Sequence, residues 1–229
     1  MTTPFLDFIL ATMAATKKTS PGKKKTTREK ILKGAIHVFS NYPYYAASMR
    51  MIGKAAGIKH PLVNYYFPSK AALFEAVIEH VTDEYYQANI SWFAGIEKLK
   101  PEEGFGLYMD RFFDFAAKHP SALRIISLNM VQPEEYDDIP GYDRVREFFA
   151  KTKQNFIDAI PMQGAADDIE MFLNSFNTLA INYLGAGAYY ASIMGIEPGS
   201  SEYLKWIKKT LMFILLPHLK RIISGEKKI

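Results

Sequence analysis

Between Pro43 and Pro68 the chain has room for two short helices and little else, and Gly57 stands between them. Proline has no amide donor and restrains the residue before it, so neither end extends into a longer rod. Ser48 is placed to cap the first of the pair, whose inner face reads as Ile52 with Ala55 and Ala56. Glycine at 57 supplies the left-handed backbone that stops a helix at low cost. The second helix begins three residues later, with Val63, Tyr66 and Phe67 on one face and Pro61, Asn64 and Tyr65 turned elsewhere. The small residues at 55 and 56 are expected to let the two helices approach closely.

The flanks complete a unit. Thr26-Thr27-Arg28-Glu29 reads as a capping box ahead of the apolar series Ile31, Leu32, Ala35, Ile36 and Phe39, a first helix over about 27–41. Pro68-Ser69-Lys70 breaks the chain again and opens a fourth helix with Leu73, Phe74, Val77, Ile78 and Val81 inward. Three helices crossing at a glycine turn and leading into a connector make a helix-turn-helix, whose last member projects toward a major groove. Beyond residue 85 no strand pattern competes with helix, and breaks at Gly and Pro predict helices near 102–118, 121–131, 141–160, 166–194 and 201–224. The expectation is an all-α chain of three parts: an N-terminal extension with a lysine-rich arm (1–25), a three-helix helix-turn-helix DNA-binding domain (26–70), and a larger helical domain for ligand binding and dimerisation (71–229).

Charge is distributed unevenly. Lys17 to His80 holds twelve Lys and Arg against three acids, or +9, which leaves the rest of the chain near −5. That asymmetry turns the N-terminal third toward a polyanion, although a lysine-rich stretch is also simply well solvated. The arm lysines 17, 18, 23, 24 and 25 suit a strand-following role along a duplex or a nonspecific pull on it. With no cysteine in the chain, disulfides, thiolate metal sites and a cysteine nucleophile are excluded. No apolar run reaches the roughly 18 residues of a membrane span, and residues 1–16 read as an extension, because their apolar stretch precedes the lysines where a secretory leader would follow them. A cytoplasmic protein with no membrane partner is expected. There is no phosphate-binding glycine loop, nucleophile elbow or His-Glu-x-x-His, so no enzyme, no cofactor and no catalytic residue are expected. The five histidines are scattered, and the acidic loop Glu134 to Asp138 reads as a polar connection, so no metal site is expected.

Three runs carry a resemblance: Thr27-Arg28-Glu29-Lys30-Ile31-Leu32, then Ser48 through Ile58, then Asn64-Tyr65-Tyr66-Phe67-Pro68-Ser69-Lys70-Ala71-Ala72-Leu73-Phe74. Over about 50 residues, with spacing kept, the chain resembles the tetracycline-repressor (TetR) family. The resemblance implies a repressor that binds a palindromic, double-stranded operator as a homodimer and is released by a small-molecule effector; a DNA-binding dimer without effector is the alternative, and an activator stays open. Carried over by position, Ser48, Met49 and Arg50 lie near phosphates or bases, Lys59, His60, Pro61, Leu62 and Asn64 face bases, and Tyr65 and Lys70 hold phosphate oxygens. Asn64 and Leu62 depart from the residues frequent in the family at those places. Asn64 is the favoured base reader, since its amide pairs with adenine in two bonds, whereas Tyr66 and Phe67 read as core.

In the second half, Phe172, Phe176, Leu179, Tyr183, Gly187, Leu204, Ile207, Leu211 and Ile214 fall at coiled-coil-like spacing and are expected at a dimer interface, as the resemblance also implies. Gly185 and Gly187 are expected to admit a partner helix, and Pro217 to kink the last one. Phe112, Phe113, Phe115, Met130, Phe148, Phe149, Phe156, Phe176 and Tyr183 read either as core or as the lining of a chamber for a hydrophobic or aromatic effector.

Overall fold

The computed structural model describes residues 26–130 and 139–225; the lysine arm and the acidic loop at 134–138 lie outside the described residues. The elements are α1 (Thr27–Phe39), α2 (Met49–Ala56), α3 (His60–Tyr66), α4 (Lys70–Trp92), a 3-10 turn (Ile96–Lys98), α5 (Pro101–Lys118), α6 (Ser121–Met130), α7 (Tyr142–Ala159), α8 (Ala166–Gly185), α9 (Gly187–Met194) and α10 (Ser201–Ser224). Among the described residues no strand forms, and no helix is long and apolar enough to cross a membrane.

The N-terminal unit assembles around α1. Its capping box is closed from both sides: the Glu29 amide donates to Thr26 Oγ1 (3.2 Å), and the Thr26 amide donates to Glu29 Oε2 (2.8 Å). Ile31, Ala35 and Phe39 then point inward to meet Ile52 of α2, Val63 of α3 and Leu73 and Phe74 of α4, all buried. The closest approach lies between α1 and α2, where a Cβ on Gly34 would sit 2.8 Å from the Ala56 backbone nitrogen. Gly53 plays the same part between α2 and α3: a Cβ there would meet the Ile58 carbonyl oxygen at 2.8 Å and Val63 Cγ2 at 3.4 Å. The tight crossing expected at Ala55 and Ala56 is thus made by Gly53, while Ala56 faces α1 and Ala55 faces solvent.

Lys70 fastens the loop that enters α2. Its ammonium donates to the carbonyls of Tyr44 (2.8 Å) and Ala47 (3.1 Å) and sits 4.3 Å from the centre of the Tyr44 ring. Burial lowers its pKa below the usual lysine value.

α4 spans 23 residues and belongs to both halves, so one continuous buried core runs from Ile31 to Ile222. In the larger half α4 packs on α5 and α7, α6 on α8, and α10 on α5 and α8. Edge-on aromatic pairs fill the middle: Tyr85 with Trp92 (5.0 Å) and Phe148 (4.9 Å), Tyr108 with Phe156 (5.6 Å), Phe112 with Phe176 (5.6 Å). Through them runs a buried polar ladder in which Asn155 donates to Asn89 Oδ1 (3.0 Å) and Asn89 donates to the Tyr108 hydroxyl (3.3 Å). Burial raises the Tyr108 pKa well above the ordinary phenol value.

Two expectations about the C-terminal helices change. The helix expected over 166–194 divides at Ala186 into α8 and α9. The flanking glycines admit neighbours of the same chain: a Cβ on Gly185 would lie 2.4 Å from Ser127 Cβ, and one on Gly187 would lie 3.4 Å from the Tyr203 ring. α10 runs as one helix with Pro217 inside it. The amide that proline lacks is the one that would bond Phe213, and both residues face solvent, where water can serve the freed carbonyl.

Gly34→Ala therefore forces the α1–α2 backbones apart and lowers stability by about 1–3 kcal/mol. Gly106→Ala, in the middle of α5 with nothing within 4 Å of the new Cβ, raises it by about 0.5–1 kcal/mol; urea denaturation of the two variants checks the opposite signs. Lys70→Met, which strips the loop of two charge-assisted bonds, costs about 1–3 kcal/mol in the same assay.

Candidate nucleic-acid interface

α3 is held by one buried apolar contact and otherwise stands in solvent. Val63 is fully buried and Phe67, just past the helix, closes the core behind it beneath the Arg28 guanidinium, 5.0 Å from the ring centre. Lys59, His60, Pro61, Leu62, Asn64 and Tyr65 are all exposed, Tyr65 by 81%. Tyr66, expected in the core with Phe67, lies outside it: 38% of it is exposed and its ring stands edge-on to Tyr65 at 5.3 Å. The helix ends by turning Phe67 into extended backbone, where its amide still reaches the Val63 carbonyl at 2.9 Å and Pro68 follows.

α2 presents its N-terminal end beside this surface. Ser48 caps it, Oγ accepting the Met51 amide at 3.3 Å, which leaves the hydroxyl hydrogen to donate outward. Arg50 and Lys54 are exposed, Met49 is partly buried, and Gly57 ends the helix at φ 67° as its position predicts. A short rod carrying amide, imidazole, phenol and ammonium groups is thereby bordered by two further cations, and no carboxylate stands between Tyr42 and Leu73. Such a surface offers hydrogen-bond donors, flat rings and positive charge toward one side. Lys70 is partly buried beside it, with two of its three ammonium hydrogens given to the Tyr44 and Ala47 carbonyls.

The other two residue sets separate once placed. Phe112, Phe113, Phe148, Phe156 and Phe176 are buried in the core together with Tyr85, Trp92 and Tyr108. Phe149 and Tyr183 pack at the margin of the core, and Met130 is 49% exposed at the end of α6. Of the nine, Phe115 lines a cleft of about 310 Å3, together with Leu123, Arg124 and Tyr203, which sequence reasoning did not select. Among the expected interface residues, Phe172, Phe176, Ile207 and Leu211 are buried in the chain's own core, as is Gly187, and leave no surface for a second copy. Leu179, Tyr183 and Leu204 are partly buried, and only Ile214 is exposed. The other large apolar side chains that face outward on α8, α9 and α10 are Met171, Tyr189, Ile193, Trp206 and Phe213, the last by 82%. A groove lined by Met171, Ser175, Ile214 and His218 joins the stripe on α8 to the one on α10. Among the described residues no group of three or more His, Asp or Glu is placed to hold a metal ion.

Residues 31–77 match the family described as bacterial regulatory proteins, tetR family. The HTH-type transcriptional repressor NicS of Pseudomonas putida is 29% identical over 101 residues, 44% of this chain and 47% of NicS. The HTH-type transcriptional regulator RutR of Escherichia coli is 27% identical over 138 residues, 57% of this chain and 62% of RutR. The chain thus spans about half to three fifths of the length of these curated relatives. In solved structures the fold recurs over most of the chain: a TetR-like transcriptional regulator from Rhodococcus has a TM-score of 0.59 at 18% identity, covering 90% of this chain and all of its own. The transcriptional regulator FadR of Bacillus subtilis, solved with stearoyl-CoA, has 0.59 at 12% identity, covering 86% of this chain and 98% of its own. The three-helix unit is thus matched in sequence by the tetR family over residues 31–77, and the helical architecture around it recurs in shape among solved TetR-like regulators.

Proposed function

We propose that the protein is a transcriptional regulator that binds a palindromic operator as a homodimer, most simply as a repressor, with α3 in the major groove. The observation that carries this reading is α3 itself: fixed to the core through Val63 and free along the rest of its surface. A polar, ring-bearing face costs nothing in water and gains contacts only against a partner that supplies acceptors and stacked edges, which a groove does. Asn64 is the base reader, able to bond adenine N6 and N7 together. Tyr65, Arg50 and the Ser48 hydroxyl hold phosphates on either side, and Lys59 and His60 approach the same groove from the start of α3. Ser48, Met49, Arg50, Lys59, His60, Pro61, Leu62, Asn64 and Tyr65 thus form one recognition surface.

Pairing follows from the outward apolar stripe of α8 and α10. Met171, Trp206, Phe213 and Ile214 are large apolar side chains exposed on α8 and α10, the kind of surface that marks an interface, and a two-fold axis there would present two copies of α3 to one duplex. Half-sites about one helical turn apart are expected of such a dimer. The relatives NicS and RutR, named as a repressor and a regulator, support the regulatory role, and FadR, solved with stearoyl-CoA, is a family relative in fold that carries a small-molecule ligand. An effector binding in the helical half would favour a conformation whose α3 spacing no longer fits successive grooves, and operator affinity would fall by the ratio of its affinities for the two conformations.

Selection of bound fragments from random DNA is the direct test: recovery of an inverted repeat supports the reading, and recovery of no sequence preference sinks it. Against the selected site, Asn64→Ala relaxes preference at one base position by about 1–3 kcal/mol, whereas Tyr65→Ala weakens binding evenly to cognate and random duplexes. Phe213→Glu places a charge in the centre of the proposed pairing face; in analytical ultracentrifugation it is expected to sediment as a monomer, with binding to the full palindrome lost and thermal stability of the chain retained.

A further inference from the structure

The cleft of about 310 Å3 opens between the end of α5, the first turn of α6, the α8–α9 junction and the start of α10. Its walls are apolar where Phe115, Leu123 and Leu204 face it, and its polar side chains are His119, Arg124 and Tyr203. Two of these are already committed. The His119 ring stacks on Phe115 (centroids 4.5 Å apart, planes 14°) with Nδ1 3.1 Å from Glu84 Oε2. Tyr203 donates its hydroxyl to the Tyr183 carbonyl (2.6 Å), and burial pushes its pKa up to about 12, so it stays neutral. Arg124 is different. Its Nε donates to the Ser40 carbonyl at 2.6 Å, and among the described residues no carboxylate pairs with its guanidinium.

A guanidinium is always charged and carries five donors in a flat fork; with Nε engaged, the terminal nitrogens stay available for two parallel bonds to a carboxylate. A half-buried cation beside an apolar wall, with no acid paired to it among the described residues, is a site that can take one negative charge. The positive end of α6, which begins at the same wall, adds to that demand. The volume lies at the lower end of the range for small-molecule pockets, which suits a ligand with one ring or a short branched chain.

From this geometry we infer that the cleft binds a small monocarboxylic acid, its carboxylate on the terminal nitrogens of Arg124 and its body against Phe115, Leu123 and Leu204. The inference rests on the proposed effector-responsive role and deepens it by naming the ligand class and its route. Arg124 is one residue of a two-point tie from α6 to the N-terminal unit: five residues on, Asn129 Oδ1 accepts the Tyr44 amide at 2.7 Å and its Nδ2 donates to the Ile125 carbonyl. A carboxylate drawn to Arg124 therefore acts on the same side chain that holds the end of α1, and through α6 on the loop that enters α2.

The test uses the full chain without DNA: calorimetric titration and thermal unfolding with benzoate, cyclohexanecarboxylate and isovalerate, each against its amide. At least one acid is expected to bind and raise Tm, with its amide at least tenfold weaker; Arg124→Gln loses at least tenfold in acid affinity, and Arg144→Gln, an exposed residue outside the cleft lining, loses none. The inference falls if no acid binds, if acids and amides bind alike, or if Arg124→Gln binds the acid as the parent does. The comparison of acid with amide on the unaltered protein decides the matter even should Arg124→Gln fold poorly. Because none of these readouts involves a duplex, a negative titration leaves operator binding standing, and absent operator binding leaves the titration interpretable.

Discussion

Two backbone contacts without side chains between them set the geometry of everything N-terminal to α4. At Gly34 and Ala56 the first two helices touch nearly backbone to backbone, and at Gly53 the second touches the turn leading to the third. Because neither contact contains a side chain that can change rotamer, the angle at which α3 leaves the surface is a rigid property of the unit. The exposed face of α3 is thereby aimed before any partner arrives, which reduces the entropy a binding event must overcome. Lys70 completes the arrangement from the other direction, drawing the loop before α2 onto the start of α4.

What happens at the far end of the molecule reaches this unit through few connections. α4 is common to both halves, and α6 touches the N-terminal unit through Arg124 on Ser40 and Asn129 on Tyr44. Interiors packed at crystalline density move as whole elements. α6 meets the end of α1 and the loop that enters α2 directly, whereas the aromatic middle, filled by Tyr85, Phe112, Phe148 and Phe156, offers little room for change.

The N-terminal unit was legible because its signals are local. Thr26, Ser48, Gly57 and Pro68 act within four residues of themselves, and each ends or begins a helix where the sequence says it must. Ala55 and Tyr66 were misread because periodicity gives the face of a short helix only to within one residue, and over two turns one residue is a quarter of the circumference. In the C-terminal half the signals are long-range. The apolar spacing of Phe172, Phe176, Ile207 and Leu211 is equally right for a partner chain and for the chain's own core, and only the positions of α5 and α6 decide in favour of the core. Gly185 likewise announced a close approach without naming Ser127 as the neighbour. Arg124 carried no sequence signal at all, since its meaning depends on Ser40, 84 positions away.

The polar ladder from Asn155 through Asn89 to Tyr108 has a bearing on how this chain can vary. Rings packed on rings are interchangeable in pairs, provided volume is conserved, so an aromatic interior by itself tolerates several slightly rotated arrangements of the same helices. An amide that must find another amide and a phenol in the dry centre tolerates one. Those three side chains therefore act as a key that rejects near-miss packings of α4, α5 and α7, and a descendant sequence can redesign the surrounding hydrocarbon freely only while it keeps the key or replaces all three members together.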